Sequence, residues 1–113
     1  YFTYELARKL KGDNNAPTVT AAHPGWTSTD LQRHSLFFRI LNPIFSQNVE
    51  NGVLPTLRAA IDDNAQSGDY YGPAGFQEMK GAPVVVKSNE RSHNEANAKR
   101  LWDMSEKMTG VQF

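Results

Sequence analysis

The chain has 113 residues, enough for one domain, and no cysteine, which excludes disulfide scaffolds, thiolate zinc sites, iron–sulfur clusters and cysteine nucleophiles together. Twelve basic and twelve acidic residues cancel, so no overall field draws it to nucleic acid or to an anionic membrane. With 39% hydrophobic and 21% charged residues the composition is that of a folding chain, and the longest apolar stretch, residues 36–45, is interrupted by Arg39, Asn42 and Pro43, well short of the roughly 20 residues a membrane span needs.

Residues 1–11 predict a helix, because Phe2, Leu6 and Leu10 recur at every fourth position with Ala7 beside them. Arg8, Lys9 and Lys11 complement the dipole of its last turn, and Gly12 suits a left-handed stop. No capping residue stands in front and no methionine opens the chain, so the helix is expected to be the tail of a longer one, in a longer protein. Thr18-Val19-Thr20-Ala21-Ala22-His23 is short and β-branched and stops at Pro24-Gly25, the pattern of a strand closed by a turn. Ser28, Thr29 and Asp30 offer caps for one or two short helices over 31–41, which Pro43 ends. Residues 48–61 predict a further helix with Val49, Val53, Leu54, Leu57, Ala60 and Ile61 on one stripe; Pro55 should bend it or mark its first turn.

Asp69-Tyr70-Tyr71 before Gly72-Pro73 predicts a very short strand and a turn. Residues 72–89 hold Gly72, Pro73, Gly75, Gly81 and Pro83 and predict loop, with Val84-Val85-Val86 as a candidate edge strand. Ser92 and Glu95 form a capping box for the last helix, on which Ala98, Leu101, Trp102, Ser105 and Met108 share a face and after which Gly110 stops the turn. This order predicts an α/β layer structure with parallel strands joined by helical crossovers. Two convincing strands are too few to stand alone. The sheet is therefore expected to be incomplete, its other strands lying outside this sequence.

The segment richest in chemistry is His23-Pro24-Gly25-Trp26-Thr27-Ser28-Thr29-Asp30, at the C-terminal end of the first strand. In open α/β sheets ligands bind outside the carboxyl ends of strands, and a Pro-Gly turn lets bare backbone approach them. A plain strand-to-helix turn, with Ser28, Thr29 or Asp30 as cap, accounts for the same residues. His23, His34 and His93 share no metal-ligand spacing, so no metal is expected. Lys9, Lys11, Arg33 and Arg39 are scattered among acids, so no nucleic-acid partner is expected either.

Pro24-Gly25-x-x-x-Thr29 after a strand resembles the nicotinamide-side motif of the short-chain dehydrogenase/reductases. Four further segments follow in the family's order. Glu5-Leu6-Ala7-Arg8-Lys9-Leu10 is similar to the tail of the catalytic helix, over residues 1–11. Gly52-Val53-Leu54-Pro55-Thr56-Leu57-x-Ala59-Ala60 is similar to the helix after the substrate loop, within residues 30–61. Ser67-Gly68-Asp69-Tyr70-Tyr71-Gly72-Pro73 resembles the last strand, placed at 69–72. Leu101-Trp102-x-x-Ser105-Glu106 resembles the closing helix, placed at 92–109, of the retinol-dehydrogenase-like subgroup.

The resemblance implies the C-terminal part of a Rossmann-like doubly wound parallel sheet, incomplete in this chain. It further implies an NAD(P)-dependent oxidoreductase acting on an alcohol/carbonyl pair, with NAD or NADP as cofactor. Within 18–29, the strand and nicotinamide-side loop, the backbone of Thr27 and the hydroxyl of Thr29 match the positions that hold the nicotinamide carboxamide. Pro24 and Gly25 match those that shape the turn around it. Position 27 is more often Ile or Val in the family, and Thr27 keeps the β-branch. Leu36, Phe37, Phe38 and Leu41 fall where the family has its substrate lid, which implies an apolar substrate; the same residues also suit an ordinary core helix.

The family's Gly-x-x-x-Gly-x-Gly loop and Tyr-x-x-x-Lys pair are absent, since Tyr1 is followed at the fourth place by Glu5 and Tyr4 by Arg8. No catalytic residue is therefore assigned within this chain, which alone is expected to be inactive. The expected partners are the missing N-terminal half of the same domain, a small-molecule substrate and a possible second copy, in the cytoplasm. The rival expectation is a non-enzymatic α/β interaction module that folds by docking onto another chain.

Overall fold

In a computed structural model, which describes residues 1–27 and 47–113, these residues form a three-stranded sheet and four α-helices. The expected caps Ser28, Thr29 and Asp30, the helices over 31–41 and the lid residues Leu36, Phe37, Phe38 and Leu41 lie outside the described residues. No helix among the described residues is long and apolar enough to cross a membrane.

Helix α1, Phe2–Lys9, ends at Leu10, whose N–H returns to the Leu6 carbonyl. The stop comes before Gly12, which instead takes positive φ (98°) in the turn that follows. Strand β1 is confined to Ala21–Ala22, shorter than the β-branched run suggests, although His23 N–H still reaches the Tyr71 carbonyl at 2.9 Å. The helical run after it divides into α2, Val49–Gly52, and α3, Leu54–Ile61, with Pro55 buried in the first turn of α3. A proline has no N–H to return to the preceding turn, so the ladder breaks where it stands.

Strand β2, Tyr70–Pro73, is central: β1 pairs with it in parallel (Ala21↔Tyr70, Ala22↔Tyr71) and β3, Pro83–Val85, antiparallel (Tyr71↔Val85, Gly72↔Val84). The sheet is thus mixed, not wholly parallel as expected. β3 arrives from β2 through residues 74–82, a loop with one 3-10 turn rather than a helical crossover, and such short connections join antiparallel strands. Helix α3 lies on the sheet. Tyr71 is 1% exposed beneath it, and its hydroxyl donates to Asp62 at 3.3 Å while Thr20 Oγ1 donates to the Ala59 carbonyl at 3.1 Å.

Helix α4, Glu95–Thr109, packs against α1. Ala98 and Trp102 are buried at the contact, with Phe2 stacked on Trp102 at 4.6 Å, but Leu101 and Met108, expected on the same face, are exposed. Its cap is Asn94, whose side chain accepts from Asn97 N–H at 2.9 Å. Ser92, the expected cap, belongs to the preceding 3-10 turn, where its hydroxyl donates to the Asn89 carbonyl. Gly110 adopts the left-handed C-cap the sequence predicts, at φ 73°.

Candidate functional site

The chain leaves β1 at His23, and Pro24, without an N–H, cannot extend the ladder. Gly25 then turns in left-handed backbone, φ 65°, so close to the next loop that a Cβ there would come within 2.5 Å of the Met79 carbonyl oxygen and 2.7 Å of Pro73 Cγ. The turn therefore sits at the carboxyl ends of both parallel strands. Backbone bonds hold it from outside: Trp26 N–H donates to the Met79 carbonyl at 2.7 Å, and Gln47 N–H to the Trp26 carbonyl at 2.9 Å. Thr27 Oγ1 donates to the Pro24 carbonyl at 2.9 Å, and its side chain packs against Gly52 of α2, where no Cβ would fit. The peptide N–H and C=O of Thr27 make no backbone hydrogen bond among the described residues.

His23 Nδ1 accepts from Gly25 N–H at 3.2 Å, which leaves the proton on Nε2, and Nε2 lies 2.9 Å from Glu78 Oε2. The ring also rests against Tyr70, with centroids 5.1 Å apart. Burial first, and the Glu78 carboxylate second, hold the Tyr70 phenol above its ordinary pKa, so it stays protonated. Gly72 of β2 is needed beside this ring, since any Cβ there would strike His23 Nε2. Glu78 and its neighbour Gln77 are both left-handed, at φ 55° and 49°. Such backbone costs an ordinary residue about 1–2 kcal/mol. It persists here because Glu78 N–H is held by Gly75, Met79 N–H by Phe76, and the Glu78 carboxylate by His23.

A second polar cluster joins α1 to the segment before α4. Ser88 Oγ lies 2.7 Å from Tyr4 Oη, 2.6 Å from Ser92 Oγ and 3.0 Å from His93 Nε2, with the Tyr4 and His93 rings stacked. A serine within reach of a histidine has the look of a nucleophile and its base, but the protons run the other way. Ser92 donates to the Asn89 carbonyl, so Ser88 must donate its single hydrogen to Ser92 and accept from both Tyr4 and His93. The cluster is a tether. Between it and the His23–Glu78 pair opens a cleft of about 400 Å³ lined by Tyr4, Tyr70, Glu78, Lys87 and Ser88 among others.

Of the residues singled out in the sequence, Pro24, Gly25 and Thr27 come together in the turn, while Thr29, Leu36, Phe37, Phe38 and Leu41 lie outside the described residues. Sequence reasoning missed Glu78, 55 positions from its histidine, and Gln47. It considered His23 only as a metal ligand. No local signal marks Glu78, because its approach depends on left-handed backbone at two residues that are not glycine.

Comparison with known proteins gives one consistent result. Human retinol dehydrogenase 11 is 31% identical over 115 residues, which is 97% of this chain and 33% of that protein. Mouse retinol dehydrogenase 14 is 30% identical over 97% of this chain and 32% of its own length, and human retinol dehydrogenase 13 is 32% identical over 98% and 34%. The chain thus spans about a third of the length of the curated relatives it matches. No family model matches it, and no solved structure does. The resemblance to the retinol-dehydrogenase-like short-chain dehydrogenase/reductases is shown across nearly the whole chain.

Proposed function

We propose that this retinol-dehydrogenase-like chain is the nicotinamide- and substrate-side segment of an oxidoreductase that interconverts an alcohol and a carbonyl with NAD or NADP. The observation that carries the reading is the similarity to retinol dehydrogenases along nearly all of the chain. The geometry supports it: the Pro24–Gly25 turn stands at the carboxyl ends of β1 and β2, where α/β sheets take their ligands. It also fits the cofactor, because the Thr27 peptide groups remain unengaged among the described residues and Gly25 keeps the turn bare of side chain.

On this reading the backbone of Thr27 and the hydroxyl of Thr29 hold the carboxamide, and Pro24 and Gly25 set the turn around it. Leu36, Phe37, Phe38 and Leu41 cover an apolar substrate. The nicotinamide, when bound, supplies or accepts the hydride. The proton-transfer pair and the pyrophosphate loop belong to the rest of a Rossmann-like doubly wound domain, in the complete gene product that carries this chain. That portion is also the partner proposed for the sheet.

The test is turnover. The complete gene product should oxidise a long-chain or ring alcohol, or reduce the matching carbonyl, with NAD or NADP, while the purified 113-residue chain does neither. A complete product inert toward apolar alcohols and carbonyls with both cofactors would contradict the proposal.

A further inference from the structure

Gln47 stands out among the described residues as a polar side chain buried in the fold, 7% exposed, with side-chain hydrogen bonds to two loops. Its Nε2 donates to the Pro24 carbonyl at 2.7 Å, and its Oε1 accepts from Gly81 N–H at 3.2 Å. Its own N–H donates to the Trp26 carbonyl at 2.9 Å. One residue therefore ties the turn after β1 to the loop that leads into β3. A buried amide bonded at both its donor and its acceptor end holds its two neighbours in one arrangement.

What it fixes can be named. Proline locks its own φ, and glycine is the most permissive residue in the chain, so the peptide plane between Pro24 and Gly25 is the softest joint of the turn. Rotation of that plane would redirect the Thr27 peptide groups. The carbonyl of that same plane receives two donors, Gln47 Nε2 and Thr27 Oγ1. We propose that Gln47 is a positioning residue for the nicotinamide-side turn, acting through the Pro24 carbonyl to aim the Thr27 backbone. This role rests on the cofactor reading above.

Two variants of the complete gene product separate the bonds. Gln47→Met keeps the length and removes both side-chain bonds; Gln47→Glu keeps an acceptor for Gly81 N–H and removes the donor to Pro24. Residue-resolved amide exchange and steady-state kinetics are measured on each. In Gln47→Glu, Gly81 N–H should stay protected while Trp26 N–H exchanges faster; in Gln47→Met both should exchange faster. In both, kcat should fall roughly tenfold, as misorientation of a reacting group does, and the cofactor KM should rise with it while the substrate KM stays nearly unchanged. Unchanged exchange at Trp26 in both variants overturns the clamp. Faster exchange at Trp26 with wild-type kcat overturns the positioning role and leaves the cofactor reading standing. A wild-type product without nicotinamide-dependent turnover overturns that reading and the role with it, and exchange at Trp26 distinguishes this from failure of the clamp.

Discussion

His23 and Glu78 meet at 2.9 Å across the mouth of the turn after β1, the histidine from extended backbone and the glutamate from left-handed backbone at φ 55°. The same loop holds Gln77 at φ 49°, and its side chain is exposed. Gln77→Gly should therefore raise stability by up to about 1 kcal/mol, since glycine removes the left-handed cost while losing some unfolded-state entropy. Glu78→Gly, which relieves the same backbone but deletes the partner of His23, should bring no such gain. Denaturant melts of the complete gene product compare the two, and equal gains from both would show that the His23–Glu78 hydrogen bond contributes nothing.

Gly25 and Gly12 both have positive φ, but only Gly25 is enclosed. Gly12→Ala meets no atom within 4 Å, so its cost should be the backbone term alone, about 1–2 kcal/mol. Gly25→Ala adds a collision with the Met79 and Glu78 carbonyls, which are backbone and cannot rotate away. It should cost clearly more and displace the turn. Equal melting temperatures for the two variants would contradict this packing.

How much of this was legible in advance follows from what each feature depends on. The Pro24-Gly25 turn, the Pro55 break and the Gly110 stop were readable because proline and glycine act on their own backbone. The antiparallel pairing of β3 was not, because strand direction is set by how the chain returns from β2 rather than by Pro83, Val84 and Val85 themselves. The cap of α4 was misplaced by two residues for a similar reason. Asn89 and Ser92 close a 3-10 turn on each other, so the role falls to Asn94. Within the candidate site Pro24, Gly25 and Thr27 are singled out by the sequence and share the turn, but Gln47 and Glu78, which bond to it from other loops, carry no local pattern.

Glu106 predicts an acid sensitivity. The Trp102 indole N–H first, and the Phe113 amide second, hold its carboxyl below the ordinary carboxylate value. Asp62 is shifted the same way by the Asn64 amide and then by Arg58. A depressed folded-state value means stabilisation that is present above the unfolded value and lost as pH falls through the folded one. Thermal melts should therefore weaken as pH drops below the ordinary carboxylate range. Glu106→Gln, which still accepts from Trp102 but does not titrate, should show a shallower decline, and an identical decline would remove Glu106 from the explanation.

Among the described residues β1 has a strand on one side only, and Val49, Val53, Leu57 and Ile61 are exposed along α2 and α3. The 113-residue chain on its own should then fail to behave as a stable monomer, either melting without cooperativity or self-associating. Sedimentation at low micromolar concentration together with a thermal melt checks this. A dilute monomer with one sharp transition would contradict it.

The central claim, that the turn after β1 serves a nicotinamide cofactor, is tested most directly by the cofactor KM of the complete gene product with and without Thr29→Ala. Loss of one hydrogen bond, about 0.5–1.5 kcal/mol, should raise that KM several-fold and leave the substrate KM nearly unchanged. A Thr29→Ala product whose cofactor KM equals that of the wild type would contradict the account.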